Sequence, residues 1–220
     1  MLDLTPPLFC CECERQYQMS KLERCPSCKL ELETCQCVPR TLKRLGVGAT
    51  IKLVPYSTYC ETVSKRAILH IKHHNNDRAV SFFATELADS INKYMTCEQI
   101  SPERTLVANV PRRAYNIAFF GFDQSEQLAK QVAKNLDCKY KKLFKRKHLF
   151  DREQKKLTAQ ERLEKLQKTF CPADDMPKDC NTVFVIDDVM TTGASLAGCV
   201  ILLKGRPVRI ITATIGVTLN

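Results

Sequence analysis

The chain contains no tryptophan, only seven glycines, and no run of apolar residues long enough to span a bilayer. A membrane helix needs about 18 to 20 consecutive apolar residues, so none is expected. Seven glycines and ten prolines in 220 residues exclude a collagen-like or low-complexity chain. Acidic residues are also in deficit, 24 against 34 Lys and Arg, leaving a formal charge of +10. That balance disfavours cationic partners and favours polyanions. The first residues, MLDLTPPLFCC, lack a basic stretch followed by an apolar one, so no secretory signal is expected and a cytoplasmic location is. The remaining composition, 44% hydrophobic and 26% charged residues, describes a soluble globular protein with one core and room for a small accessory module.

Cysteine is what the chain has in excess. Seven of its thirteen cysteines fall between Cys10 and Cys37. In a reducing compartment such clustering points to metal rather than disulfides. Cys10-x2-Cys13 and Cys25-x2-Cys28 are two pairs of the kind that close a tetrahedral Zn²⁺ site. Cys35-x-Cys37 could replace one pair or belong to a second site, and Cys11 is a further alternative. A zinc ion would supply stability that so short a head cannot draw from apolar burial. The other six cysteines are scattered singly and read as small buried hydrophobes.

The stretch VPRTLKRLGVGAT, with Pro39, Gly46 and Gly48, separates this head from the rest of the chain. The boundaries drawn are 1–48 for the Cys-rich module with its linker and 49–220 for the main domain. Apolar spacing predicts helices over 60–73, from Val80 to Ile91, after Gln124, over 158–168 and over 193–204. IKLVPYSTY, TLVANV, TVFVIDD and VRIITATIGV read as strands, with a weaker one near Leu143 and Phe144. Strands alternating with helices argue for an α/β fold with a mostly parallel sheet flanked by helices. His70, His73 and His74 are expected as charges at a helix C-terminus rather than metal ligands. Phe82–Phe83 and Phe119–Phe120 are expected in the core rather than as base-stacking platforms. Between Lys134 and Lys168 there are thirteen Lys or Arg and five Asp or Glu, either a solvated surface or a landing face for a polyanion.

The most informative stretch is VFVIDDVMTTGAS. Its apolar run reads as a strand that ends in two aspartates. In an open α/β sheet, ligands bind at the carboxyl ends of strands beside helix N-termini. Thr191, Thr192, Gly193, Ala194 and Ser195 then form a turn whose N–H groups and hydroxyls suit a monophosphate. Asp187 and Asp188 are placed to accept sugar hydroxyls, directly or through Mg²⁺. The plainer reading is a capped helix after an ordinary strand.

This stretch resembles the signature of type I phosphoribosyltransferases, two acidic residues, two further positions and then Thr-Thr-Gly. The whole chain resembles the ComF family of competence-associated proteins, which join a zinc head to such a domain. YCETVSKRAILHIKHHNND places Lys72 on the family's lysine. In VPRRAYNIAFFGFDQS, residues Val110, Pro111, Gly121, Phe122 and Gln124 match in spacing. In QKKLTAQERLEKLQKTF the matches are Gln154, Leu157, Arg162 and Phe170. Phe120, Asp123 and Lys165 stand where the family carries Arg, Asn and Asn. The resemblance implies binding of 5-phosphoribosyl pyrophosphate with Mg²⁺, with catalytic roles for Asp187 and Asp188. Lys72, Arg112 and Arg113 would face the pyrophosphate. It further implies a role in DNA uptake during natural transformation, with single-stranded DNA and a competence helicase as partners. A working transferase of nucleotide salvage and a regulator that senses phosphoribosyl pyrophosphate are the alternatives.

Overall fold

The computed structural model describes residues 8–57, 59, 61–147 and 169–219. The predicted helix over 158–168, and the family positions Gln154, Leu157, Arg162 and Lys165, lie outside these residues. The chain opens with α1 (Cys11–Lys21), a loop carrying four of the cysteines, and the single turn α2 (Arg40–Lys43). Next come β1 (Val47–Pro55), α3 (Val63–His73), α4 (Asp77–Cys97) and β2 (Thr105–Asn109). After α5 (Ala114–Phe120) and α6 (Gln124–Asn135) there are three short strands, β3 (Lys139–Tyr140), β4 (Phe144–Arg146) and β5 (Phe170–Pro172). The described chain closes with β6 (Thr182–Met190), α7 (Ala194–Val200) and β7 (Arg209–Val217).

Five strands form one sheet in the order β1-β7-β6-β2-β3, and every pairing in it is parallel. A parallel sheet is covered on both faces, which is why β6 and β7 read as nearly unbroken apolar runs. On one face Leu53, Phe184, Ile186, Ile211 and Ile215 pack against Phe83, Leu87 and Ile91 of α4 and Leu128 and Val132 of α6. On the other, Val183, Val185 and Ile210 lie beneath Leu32, Leu42, Leu196 and the antiparallel pair β4–β5 with Phe144 and Phe170. Asn76 and Asp123 cap α4 and α6, each side chain accepting a backbone N–H of the first turn.

The Cys-rich head contributes to both cores. Tyr17 of α1 is fully buried among Phe9, Phe82 and Phe83, while Leu32 and Leu42 belong to the opposite core. β1 begins at Val47, within the stretch read from sequence as linker. The helix expected over 193–204 is shorter, ending at Val200 before a single 3₁₀ turn at Ile201–Leu203. Among the described residues, no helix is long and apolar enough to cross a membrane.

Candidate functional site

β6 outruns its neighbour. Its last pairing with β2 is Asn109 with Ile186, whereas its pairing with β7 continues to Met190 with Val217. Asp187 and Asp188 therefore lie inside the strand rather than at its exit, on the part that has lost one neighbour. The N-terminus of α6 fills that side. Asp188, only 5% exposed, accepts Gln124 Nε2 at 2.7 Å and pairs with Lys72 Nζ at 3.4 Å. Asp187 accepts the Asp188 N–H at 2.9 Å and the Ser125 hydroxyl at 3.4 Å. Burial, and then the Asp188 charge beside it, push the Asp187 carboxyl well above the usual carboxylate range. The buried side-chain atoms Gln124 Oε1 and Asn109 Nδ2 have no hydrogen-bond partner among the described residues. Sites rich in such unspent polar capacity are where ligands and ordered waters bind.

Three residues beyond Asp188 the backbone turns. Thr191 and Thr192 are exposed, and Gly193 takes φ +73° before α7 begins at Ala194. Only glycine adopts that conformation at little cost. A Cβ at this position would also lie 3.6 Å from Leu42 Cδ1, so α2 backs the turn. Ser195, in the first turn of α7, is partly exposed.

The cations expected near pyrophosphate are brought to this end of the sheet but are engaged. Lys72, in the last turn of α3, pairs with Asp188. Arg112 donates Nη2 to the Lys72 carbonyl at 2.7 Å and Nη1 to that of Phe122 at 3.3 Å, with its guanidinium over the Phe120 and Phe122 rings. Arg113 stands at the N-cap position of α5 in extended conformation, its side chain making no capping hydrogen bond. Asp123 accepts the Arg112, Ser125 and Glu126 N–H groups at 3.0 to 3.2 Å. A carboxylate serves there as an N-cap as well as an amide does.

The second cluster is made of sulfur. Cys25, Cys28, Cys35 and Cys37 bring their Sγ atoms within 4.8 Å of one another. The Cys25 N–H donates to Leu30 O at 2.8 Å and the Lys29 N–H to Cys25 O at 2.9 Å, closing a tight turn with Lys29 at φ 62°. That turn sets Cys25 and Cys28 side by side. A tetrahedral zinc–thiolate centre has Zn–S bonds of about 2.3 Å, hence sulfur–sulfur edges of about 3.8 Å. The donor set fits. Burial would raise the Cys25 thiol, but N–H groups of Cys28 and Ser27 and the thiols of Cys35 and Cys28 bring it down to about 6. Burial and those same sulfur neighbours push Cys37 up to about 12.

The pairing first expected, Cys10 and Cys13 with Cys25 and Cys28, gives way here to the alternative pair Cys35 and Cys37. Cys10 and Cys13 stand at the start of α1, and Cys13 packs with the opposite core. Cys11 is exposed, also outside the cluster.

Lys52 was missed from sequence. It is 3% exposed in mid-strand, and its ammonium donates to the carbonyls of Cys37, Thr50 and Cys35 at 3.0, 3.2 and 3.3 Å. A single charge in the apolar run of β1 was the available signal. A cleft of about 400 Å³ lies between the sulfur cluster and the turn after β6, lined by Cys25, Ser27, Cys37, Lys52, Thr191 and Thr192. The two candidate sites thus share a wall.

Other expectations divide. His70 and His73 lie in the last turn of α3 and His74 at its C-cap, the helix end where they were expected. Phe83 is core, but Phe119 is 69% exposed. Cys180 and Cys199 are buried while Cys97 is exposed. In the described part of the basic segment, Lys142 pairs with Glu126 at 2.9 Å. Searched against family models and curated proteins, the chain matches none.

Proposed function

We propose that this chain binds a ribose 5-phosphate compound, 5-phosphoribosyl pyrophosphate with Mg²⁺, at the end of β6, and that its four clustered cysteines hold a structural Zn²⁺. The observation that carries the reading is the order of groups along the chain: the half-buried Asp187 and buried Asp188, then the hydroxyl-bearing turn through left-handed Gly193 into α7. Asp187 and Asp188 would accept the ribose hydroxyls, and Thr191 to Ser195 would surround the 5-phosphate with hydroxyls and N–H donors. Mg²⁺ is a hard cation that takes one or two carboxylates together with substrate phosphates, which suits this pair.

Binding is favoured over transfer. Of the cations available for pyrophosphate, Lys72 is paired with Asp188 and Arg112 is spent on two carbonyls. The resemblance to the ComF family adds the setting we assign, DNA uptake during natural transformation.

Melting curves test this. A ligand that binds only the folded state adds about 2.7 kcal/mol at one hundred times its dissociation constant. At roughly 2 to 4 °C per kcal/mol for a chain of this size, phosphoribosyl pyrophosphate with Mg²⁺ should raise melting by about 5 to 10 °C. Asp187→Asn with Asp188→Asn should remove most of that shift, and ribose 5-phosphate should act more weakly. No shift at millimolar ligand would overturn the reading.

A further inference from the structure

α5 buries none of its residues. Tyr115 and Phe119, one turn apart, are 75% and 69% exposed, and their rings lie within 17° of parallel with centroids 6.2 Å apart. Phe119 meets Phe120 edge-on at 4.8 Å, and Phe120 lies flat against the His73 imidazole at 5.2 Å and 12°. Single exposed aromatics are ordinary on protein surfaces, but four contiguous rings are not. The Arg112 guanidinium covers the inner end of the row, 4.6 Å from the Phe120 centroid. From Val110 to Gly121 the sequence has two arginines and no acidic residue.

We propose that this face binds single-stranded nucleic acid, with bases stacking on Tyr115 and Phe119 and a phosphate of the strand meeting Arg113. Flat π surfaces beside guanidinium groups are the complement of unpaired bases on a polyanion. A duplex keeps its bases stacked on one another and offers no free ring faces to this row. A second copy of the chain fits poorly, since self-pairing would bring the two arginine faces together on molecules of charge +10. The proposal does not depend on the ribose-phosphate reading. The two surfaces are nevertheless adjacent, because Arg112 bonds the Lys72 carbonyl and Lys72 pairs with Asp188.

The test is fluorescence anisotropy of labelled oligothymidylate and oligouridylate with the full chain, at several salt concentrations. Wild type should bind at least one of the two strands, more tightly than a duplex. Tyr115→Ala and Phe119→Ala should each weaken binding about tenfold, within the range measured for one stacked base. They should leave the log–log salt slope unchanged. Arg113→Gln should reduce that slope by about 0.7, the loss of one phosphate contact. Tyr115→Phe should retain binding, since the ring and not the hydroxyl is what stacks. The Tyr115→Ala/Phe119→Ala protein should keep its melting shift with phosphoribosyl pyrophosphate, if wild type has one. The proposal is overturned by wild type that binds neither strand, by a preference for duplex, or by undiminished binding in the double alanine variant. Sedimentation showing a wild-type dimer that this variant dissociates would overturn it too, assigning the face to self-association.

Discussion

The Lys72 ammonium lies 3.4 Å from the Asp188 carboxylate, tying the last turn of α3 to the far end of β6. The two acids of the pair are therefore unequal. Asp188 has a cation and the Gln124 amide, whereas Asp187 has only a backbone N–H and the Ser125 hydroxyl. Two adjacent carboxylates in one partly buried crevice cannot both ionise freely. Asp187 is the carboxyl held up, by its burial first and by its acidic neighbour second.

The sulfur cluster makes a first prediction. Purified chain should hold one Zn²⁺ per molecule, measured by atomic absorption after exhaustive dialysis. Cys35→Ser and Cys37→Ser should each release it, as should Cys25→Ser, because all three sulfurs belong to the cluster. Cys10→Ser with Cys13→Ser should leave the content unchanged. Zinc lost from that pair and retained in the Cys35/Cys37 double variant would reverse the assignment.

Whether Cys10 and Cys13 or Cys35 and Cys37 join Cys25 and Cys28 could not be decided from sequence, because spacing says how two sulfurs sit within a pair, not which pairs meet. The meeting is decided by packing: Cys13 sits against one core and Cys28 and Cys37 against the other. α1 itself was illegible for a related reason. Its residues CECERQYQMSK carry no apolar stripe, and Tyr17 is the one residue the helix buries. β6 and β7 were legible because burial on both faces demands an unbroken apolar run. The acidic pair was legible as chemistry, though not as geometry. TLVANV, stopped by Pro111, showed the end of β2 to within one residue, but nothing in the sequence showed that β6 runs on beside β7 to Met190. Phe119 and Phe120 were misread together: adjacent helical residues point in different directions, so only Phe120 finds partners in His73 and Arg112.

Lys52 makes a second prediction. Four thiolates around Zn²⁺ carry a net charge of −2, and this buried ammonium bonds the carbonyls of two of the ligand residues. Groups that orient ligands in this way typically change metal affinity by about 10- to 100-fold when removed. Lys52→Met should weaken zinc by that factor in chelator competition, while Lys52→Arg should lose less. Circular dichroism of the metal-free proteins guards against a simple folding defect. Unchanged zinc affinity in a folded Met variant would show that Lys52 serves only the strand.

The last prediction returns to Asp187. An unfolded aspartate titrates near pH 3.9, and in the folded chain burial and Asp188 hold Asp187 well above that. Below about pH 4 both states carry the proton, and this group contributes no difference in stability. As pH rises, the unfolded chain releases its proton first, so the native state binds more protons and stability falls until the folded carboxyl also ionises. Asp187→Asn should remove that loss. Its carboxamide oxygen can still accept the Asp188 N–H and the Ser125 hydroxyl. The variant should thus melt above wild type at pH 7 and converge with it near pH 4. Asp188→Asn should flatten the wild-type decline as well, because it removes the like charge that raises Asp187. Melting curves across this range, without ligand, decide the matter. An Asp187→Asn protein less stable than wild type at pH 7 and convergent at low pH would mean that Asp187 is ionised and stabilising in the free protein, and one equally displaced at both ends would mean that its titration contributes nothing.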